Sequence, residues 1–175
     1  MELLTVFPDL PLLSGRPGPR PHTRTTLPFR QLDQFPSIDY PRRLFDACRD
    51  LPGVRCRQSR FAGPESHALC LADSEAHGPA EAFIDGREFC HLYPTPDGSI
   101  HLTLPQSAIE GVVALGWAVR HPVHKVGLHQ NLVLVYAPRD AAELQTVVSL
   151  VEHSYRFAKG ISGWTPRPTA AHAVV

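Results

Sequence analysis

The chain has 175 residues, 43% of them apolar and 19% charged, with 17 basic and 17 acidic side chains. That length suits one domain with its own core and is short for two. A formal charge of zero argues against nucleic acid as a partner, because phosphate binding needs a basic surplus or stripe.

The first residues, MELLTVFPDLPLL, are apolar but broken by Pro8 and Pro11, and they carry Glu2 and Asp9 where a leader would be basic. Neither a signal peptide nor a membrane span is expected, so the protein reads as cytoplasmic with no membrane partner. Cys48, Cys56, Cys70 and Cys90 lack CxxC spacing and read as reduced thiols. Residues 1–36 form a proline-rich N-terminal arm, as in GRPGPRPHTRTTLPF, which cannot pack by itself. Its apolar beads Leu3, Leu4, Val6, Phe7, Leu12 and Leu13 are available to dock on the domain or on a second subunit, giving a homodimer as one expectation.

The domain proper is expected over residues 37–160, with a loose tail over 161–175. A first helix is predicted from Ser37 to Leu51, capped by Asp39, with Pro41 in its first turn and a stripe of Tyr40, Leu44, Ala47, Cys48 and Leu51. Strands follow at Val54–Phe61 and His67–Ala72. Three more are expected in GPAEAFIDGREFCHLYPTPDGSIHLTLP, at Ala80–Asp85, Arg87–Tyr93 and Ser99–Leu104. Pro105 starts a second helix carrying Ile109, Val112 and Val113, which Gly116 ends. AVRHPVHKVGLHQ reads as irregular, and Asn131–Ala137 as a buried strand. A last helix begins at the D-x-x-E pair Asp140 and Glu143 and keeps helical spacing from Leu144 through Tyr155 to Ala158. The fold class is α+β, an antiparallel sheet of about five to six strands packed with three helices.

Chemistry points first to histidine, of which there are ten. Strict alternation puts Arg87, Phe89, His91 and Tyr93 on one face of their strand and Glu88, Cys90 and Leu92 on the other. If the hairpin closes with Tyr93 beside Ser99, His91 stands opposite His101, with Cβ atoms about 4.5–5.5 Å apart. Two facing imidazoles suit a general base and its partner on a pocket floor. They equally suit a solvated sheet face, or a metal site completed by Glu81 or Asp85. His121, His124 and His129 fall in the irregular stretch, which reads first as a surface loop, although His121-Pro122 can place an imidazole at a pocket edge and Lys125 can meet an anion. Glu88, among apolar neighbours, reads either as a carboxyl of raised pKa or as an ion pair with Arg139 or Arg156. Tyr155 reads as a core residue whose hydroxyl is within reach of a ligand. No G-x-S-x-G elbow, phosphate loop, GxGxxG or HExxH is present, which weighs against triad hydrolysis, nucleotide-driven chemistry and hydride transfer.

The phrases GPAEAFIDGREFCHLYPTPDGSIHLTLP, GWAVRHP, VLVYAPRDAAEL and SYRFAKG together resemble the luciferase-domain family, small bacterial and fungal proteins that include the fungal bioluminescence luciferase. The likeness runs from about Pro79 to Gly160 and leaves the arm outside. The order of elements is similar, more faintly, to the YjbR-type fold. Tyr93 stands where relatives are expected to carry another histidine, which argues against a three-histidine metal site on this hairpin. The resemblance implies cofactor-independent oxygenase chemistry on a small hydroxylated aromatic or pyrone-like molecule, with no metal. An enolate formed by a base reacts with O₂ in a water-poor pocket. On that reading His91 and His101 are the base and its partner. Glu81, Phe89, Tyr93, Trp117 and His121 contact the aromatic ligand. The alternative is a non-catalytic ligand-binding or protein-interaction module on a YjbR-like scaffold.

Overall fold

The computed structural model describes residues 13–161. The expected docking beads Leu3, Leu4, Val6, Phe7 and Leu12, and the tail beyond Ile161, lie outside them. Three helices and six strands make an α+β fold: α1 Asp39–Arg49, β1 Val54–Gln58, β2 His67–Leu71, β3 Glu88–Leu92, β4 Ile100–Thr103, α2 Gln106–Ala114, β5 Ala118–Arg120, β6 Leu132–Val135 and α3 Ala141–Ala158. The strands form one sheet in the order β1-β2-β3-β4-β6-β5, every neighbouring pair antiparallel.

The helices share one face of that sheet. Leu44 and Cys48 of α1, Ile109 and Val112 of α2, and Val147 and Val151 of α3 are fully buried with Leu69, Cys90, Leu102, Val133 and Val135 of the strands. The α3 helix begins as its sequence predicts, with Asp140 accepting a hydrogen bond from the Glu143 N–H at 2.8 Å. In contrast, α1 has no side-chain cap, and Asp39 lies inside its first turn. Gly116 ends α2 at φ +80°, and the Trp117 N–H then reaches back to the Val112 carbonyl at 3.0 Å.

Two stretches depart from the sequence expectation. Ala80–Asp85 is not a strand: Ala80–Ala82 forms a 3₁₀ turn, and Asp85 makes only an isolated bridge to Glu88. Both sides of β3 are already paired, to β2 and β4, so no ladder position is left for it. The segment is held instead by the Thr103 hydroxyl donating to the Ala82 carbonyl at 2.7 Å and by the Gly78 N–H donating to the Ala158 carbonyl at 2.8 Å. Gly78 sits so close to the end of α3 that a Cβ there would meet the Phe157 carbonyl oxygen at 2.2 Å. The supposedly irregular stretch after Trp117 contains the short edge strand β5 and a 3₁₀ turn over Pro122–Val126.

The arm packs on the domain. Its backbone is tied near α2 by the Trp117 indole N–H donating to the Ser14 carbonyl at 2.7 Å and by the Arg16 N–H donating to the Leu115 carbonyl at 2.8 Å. Farther on, Thr23 bridges to Gln31 and closes a loop that lays Phe29 on the helix-free face of the sheet, against Leu134 and Tyr136. Gln31 fixes that loop. Its side-chain oxygen accepts from the Ala137 N–H at 2.9 Å, and its amide donates to the Asp33 carbonyl at 2.7 Å and the Gln34 carbonyl at 3.1 Å.

Replacing Gln31 with Ala strands the buried Ala137 N–H, at a cost of about 1–3 kcal/mol. The expected result is a lower urea midpoint together with faster tryptic cleavage after Arg24 and Arg30. An unchanged midpoint would show that the loop is held by other contacts.

Candidate functional site

Pairing across the sheet sets one row of side chains on the helix-free face. Ala68 faces His91, His91 faces His101, His101 faces Leu134, and Leu134 faces Val119. The Tyr93 N–H donates to the Ser99 carbonyl at 3.0 Å, so the hairpin closes in the register read from its sequence. The two imidazoles lie with centroids 4.8 Å apart, and both are buried, at 2% and 3% exposure. His121, at the end of β5, adds a third ring, 5.0 Å from that of His101. Tyr93 stands edge-on to both central rings, at 5.5 Å from His91 and 5.1 Å from His101.

Strict alternation fails at one point. Leu69 pairs with Cys90 but Cys70 pairs with Glu88, which leaves Phe89 without a partner on β2. This bulge reverses the facing of residues before it. Phe89 therefore lies in the helix-side core, its ring 6.0 Å from that of Tyr155, and does not join the histidines. Glu88 takes the place expected of Phe89. Its carboxylate is buried and accepts from His91 Nδ1 at 2.6 Å and from the Ser59 hydroxyl at 3.0 Å. Of the expected partners, Arg139 binds Glu143 instead. Nothing in the sequence pattern announces this arrangement, because the contact between Glu88 and His91 exists only once an extra residue is accommodated between them.

Other expected residues are also placed elsewhere. Trp117 packs in the helix-side core. Glu81 is exposed and lines a separate shallow cavity with Thr103 and Asn131. Asp85 faces Arg60 at 3.5 Å, and the Tyr155 hydroxyl donates to the Pro52 carbonyl at 2.7 Å on the helix side. All four cysteines are free thiols. Among the described residues, no group of three His, Cys, Asp or Glu side chains is placed to hold a metal ion, and no helix is long and apolar enough to cross a membrane.

His91, Tyr93, His101 and His121 line a cavity of about 410 Å³ whose remaining walls are mostly apolar. Leu27, Pro28 and Phe29 of the arm, Phe61, Ile84, Val123, Leu128 and Leu132 form those walls, and His129 adds a fourth histidine to the lining. Phe29 is held over the row, 5.1 Å from His121 and 6.1 Å from His101 between ring centroids. The proline-rich composition of the arm gives no pointer to a cavity, and Phe29 and Phe61 carry no sequence signal beyond their apolarity.

The electrostatics follow from burial. His101 is held neutral, its pKa driven well below the usual histidine value first by burial and then by His91 and His121. Burial is also the main cause for His121, lowered to about 4. Burial raises the Tyr93 phenol, which keeps its proton beneath the Arg30 guanidinium 4.5 Å from the ring. In the neutral tautomer whose Nδ1–H faces the Glu88 carboxylate, His91 Nε2 carries the lone pair. His101 hydrogen bonds to the Phe29 backbone. The Nε2 atoms of His91 and His101 are buried with no hydrogen-bond partner in the protein. The site thus offers two acceptor nitrogens in apolar surroundings, one of them backed by a carboxylate.

A family model described as "Luciferase domain" matches residues 86–154. The luciferase of Armillaria mellea is 29% identical over a 168-residue alignment that covers 85% of this chain and 60% of that protein. The luciferases of Armillaria ostoyae and Armillaria gallica are 30% and 29% identical over the same shares. The chain thus spans about three fifths of the length of these curated relatives. No solved structure matches at a significant level.

In the unfolded chain, His101 and His121 bind protons near the ordinary value of 6.5, whereas folding suppresses both. The unfolded state therefore holds more protons below pH 6.5. This contribution to stability is complete above that pH and is lost as pH falls towards 4. Urea midpoints should decline across this window, and His121→Gln should flatten the decline. Parallel curves for the two proteins would contradict the assignment.

Proposed function

We propose, for a chain that belongs to the luciferase-domain family, that the cavity binds a small hydroxylated aromatic or pyrone-like molecule and promotes its reaction with O₂ without a redox cofactor. The observation that carries this reading is the Glu88–His91 contact of 2.6 Å beneath an unpartnered His91 Nε2. An acidic ligand hydroxyl meeting Nε2 gives up its proton to His91, and Glu88 stabilises the resulting imidazolium as a carboxylate stabilises histidine in a catalytic triad. The neutral Nε2 of His101 accepts from a second hydroxyl on the same ring and holds it in place. The electron-rich enolate then forms a carbon–oxygen bond to O₂, and the terminal peroxide oxygen recovers the proton from His91. The enolate supplies the electron pair and O₂ accepts it, so the step from ligand to hydroperoxide balances with no further reductant or oxidant. Apolar walls and Phe29 above the row limit water around the peroxide.

The test is oxygen consumption by the purified full chain across a panel of hydroxypyrones and hydroxylated aromatics. His91→Gln should lower turnover by about 10²–10⁴-fold, the usual worth of a positioned base. Glu88→Gln, which keeps a hydrogen-bonding group but removes its charge, should lower kcat by a smaller factor. Full turnover in His91→Gln and His101→Gln variants with native circular dichroism would sink the mechanism.

A further inference from the structure

Eight large apolar side chains are exposed among the described residues, and four of them, Leu27, Phe61, Val126 and Leu128, at 64%, 63%, 73% and 57%, come from the segments around one cavity. Single exposed hydrophobes are ordinary on a protein surface. These four are not scattered. Leu27, Phe61 and Leu128 line the mouth of the histidine cavity, and Val126 ends the turn that carries Val123, another lining residue. They come from three separate segments: the arm loop, the β1–β2 connection and the β5–β6 connection. The opening is therefore ringed by apolar tips, a patch of the kind that marks an interaction site.

The charges on the same segments have one dominant sign. HTRTTLPFR, residues 22–30, and HPVHKVGLHQ, residues 121–130, contain no acidic side chain, and SRFAGPES, residues 59–66, contains only Glu65. Arg24, Arg60 and Lys125 accompany the apolar tips, with Arg60 lying 3.5 Å from Asp85. Apolar residues flanked by cations are the composition by which proteins sit at an anionic bilayer surface, the tips entering the headgroup boundary and the cations meeting lipid phosphates. We propose that this rim seats the protein on an anionic lipid surface, with the cavity mouth turned towards the bilayer so that an aromatic ligand partitioned at that surface enters without crossing bulk water. Such a rim escapes the net charge of zero, which averages it with the rest of the chain, and it requires no spanning helix.

The experiment is flotation of the full chain with vesicles of phosphatidylcholine alone, and with vesicles in which about a third of the lipid is phosphatidylserine. The protein should float with the anionic vesicles, and added salt should release part of it. The combined variant Phe61→Ser, Lys125→Glu and Val126→Ser should retain about a tenth or less of the binding. Val126→Ser alone, at an exposed position outside the cavity lining, gives a smaller loss and serves if the combined variant misfolds. Absence of the wild type from floated anionic vesicles overturns the proposal, and so does equal flotation of the variants. Self-association in sedimentation that the same substitutions abolish would also overturn it, since the rim would then join two copies of the chain. Turnover is not read, so failure here leaves the proposed chemistry standing.

Discussion

The buried contact between a carboxylate and an imidazole on the helix-free face hangs on one residue too many in β3. Because Phe89 has no partner on β2, Glu88 and His91 come to share a face that strict alternation would deny them. Without the bulge, the carboxylate would enter the helix-side core among Leu69, Cys90 and Leu102, where burial without a partner costs several kcal/mol. With it, Phe89 fills that core and the carboxylate gains an imidazole and a hydroxyl. The same local irregularity therefore improves the packing on one side and equips the site on the other.

The second constraint is cover. An antiparallel sheet with helices on one face ordinarily leaves the other to water, and imidazoles left there would be solvated. Here a loop of the arm, held by Gln31 and bridged at Thr23, lays Phe29 across that face. Removing water keeps His101 neutral and gives its hydrogen bonds, and those of His91, the strength of an apolar medium.

Much of this was legible in the residues. The helix starts at Pro105 and Asp140, the turn at Gly116 and the opposition of His91 to His101 all follow from local rules, because each depends on neighbours within a hairpin or a helical turn. His121 was also identified as a residue at a pocket edge. What escaped the sequence depends on the whole sheet. Whether Ala80–Asp85 is a strand depends on whether a ladder position beside β3 is free. Whether Phe89 or Glu88 faces the histidines depends on a bulge that alternation cannot announce. Trp117 looks like an aromatic wall until the helices claim it. The arm has no periodicity from which its loop could be read, and its place is set by the surface it covers.

The floor and the roof of the cavity come from different parts of the chain. Glu88, His91, Tyr93, His101 and His121 all fall within residues 86–154, whereas Leu27, Phe29 and Phe61 precede them. The shape of the chamber can change through the arm and the β1–β2 connection while Glu88 and His91 keep their hydrogen bond. Substitutions confined to the first third of the chain would thus reshape the roof and leave the hydrogen-bonded floor as it is.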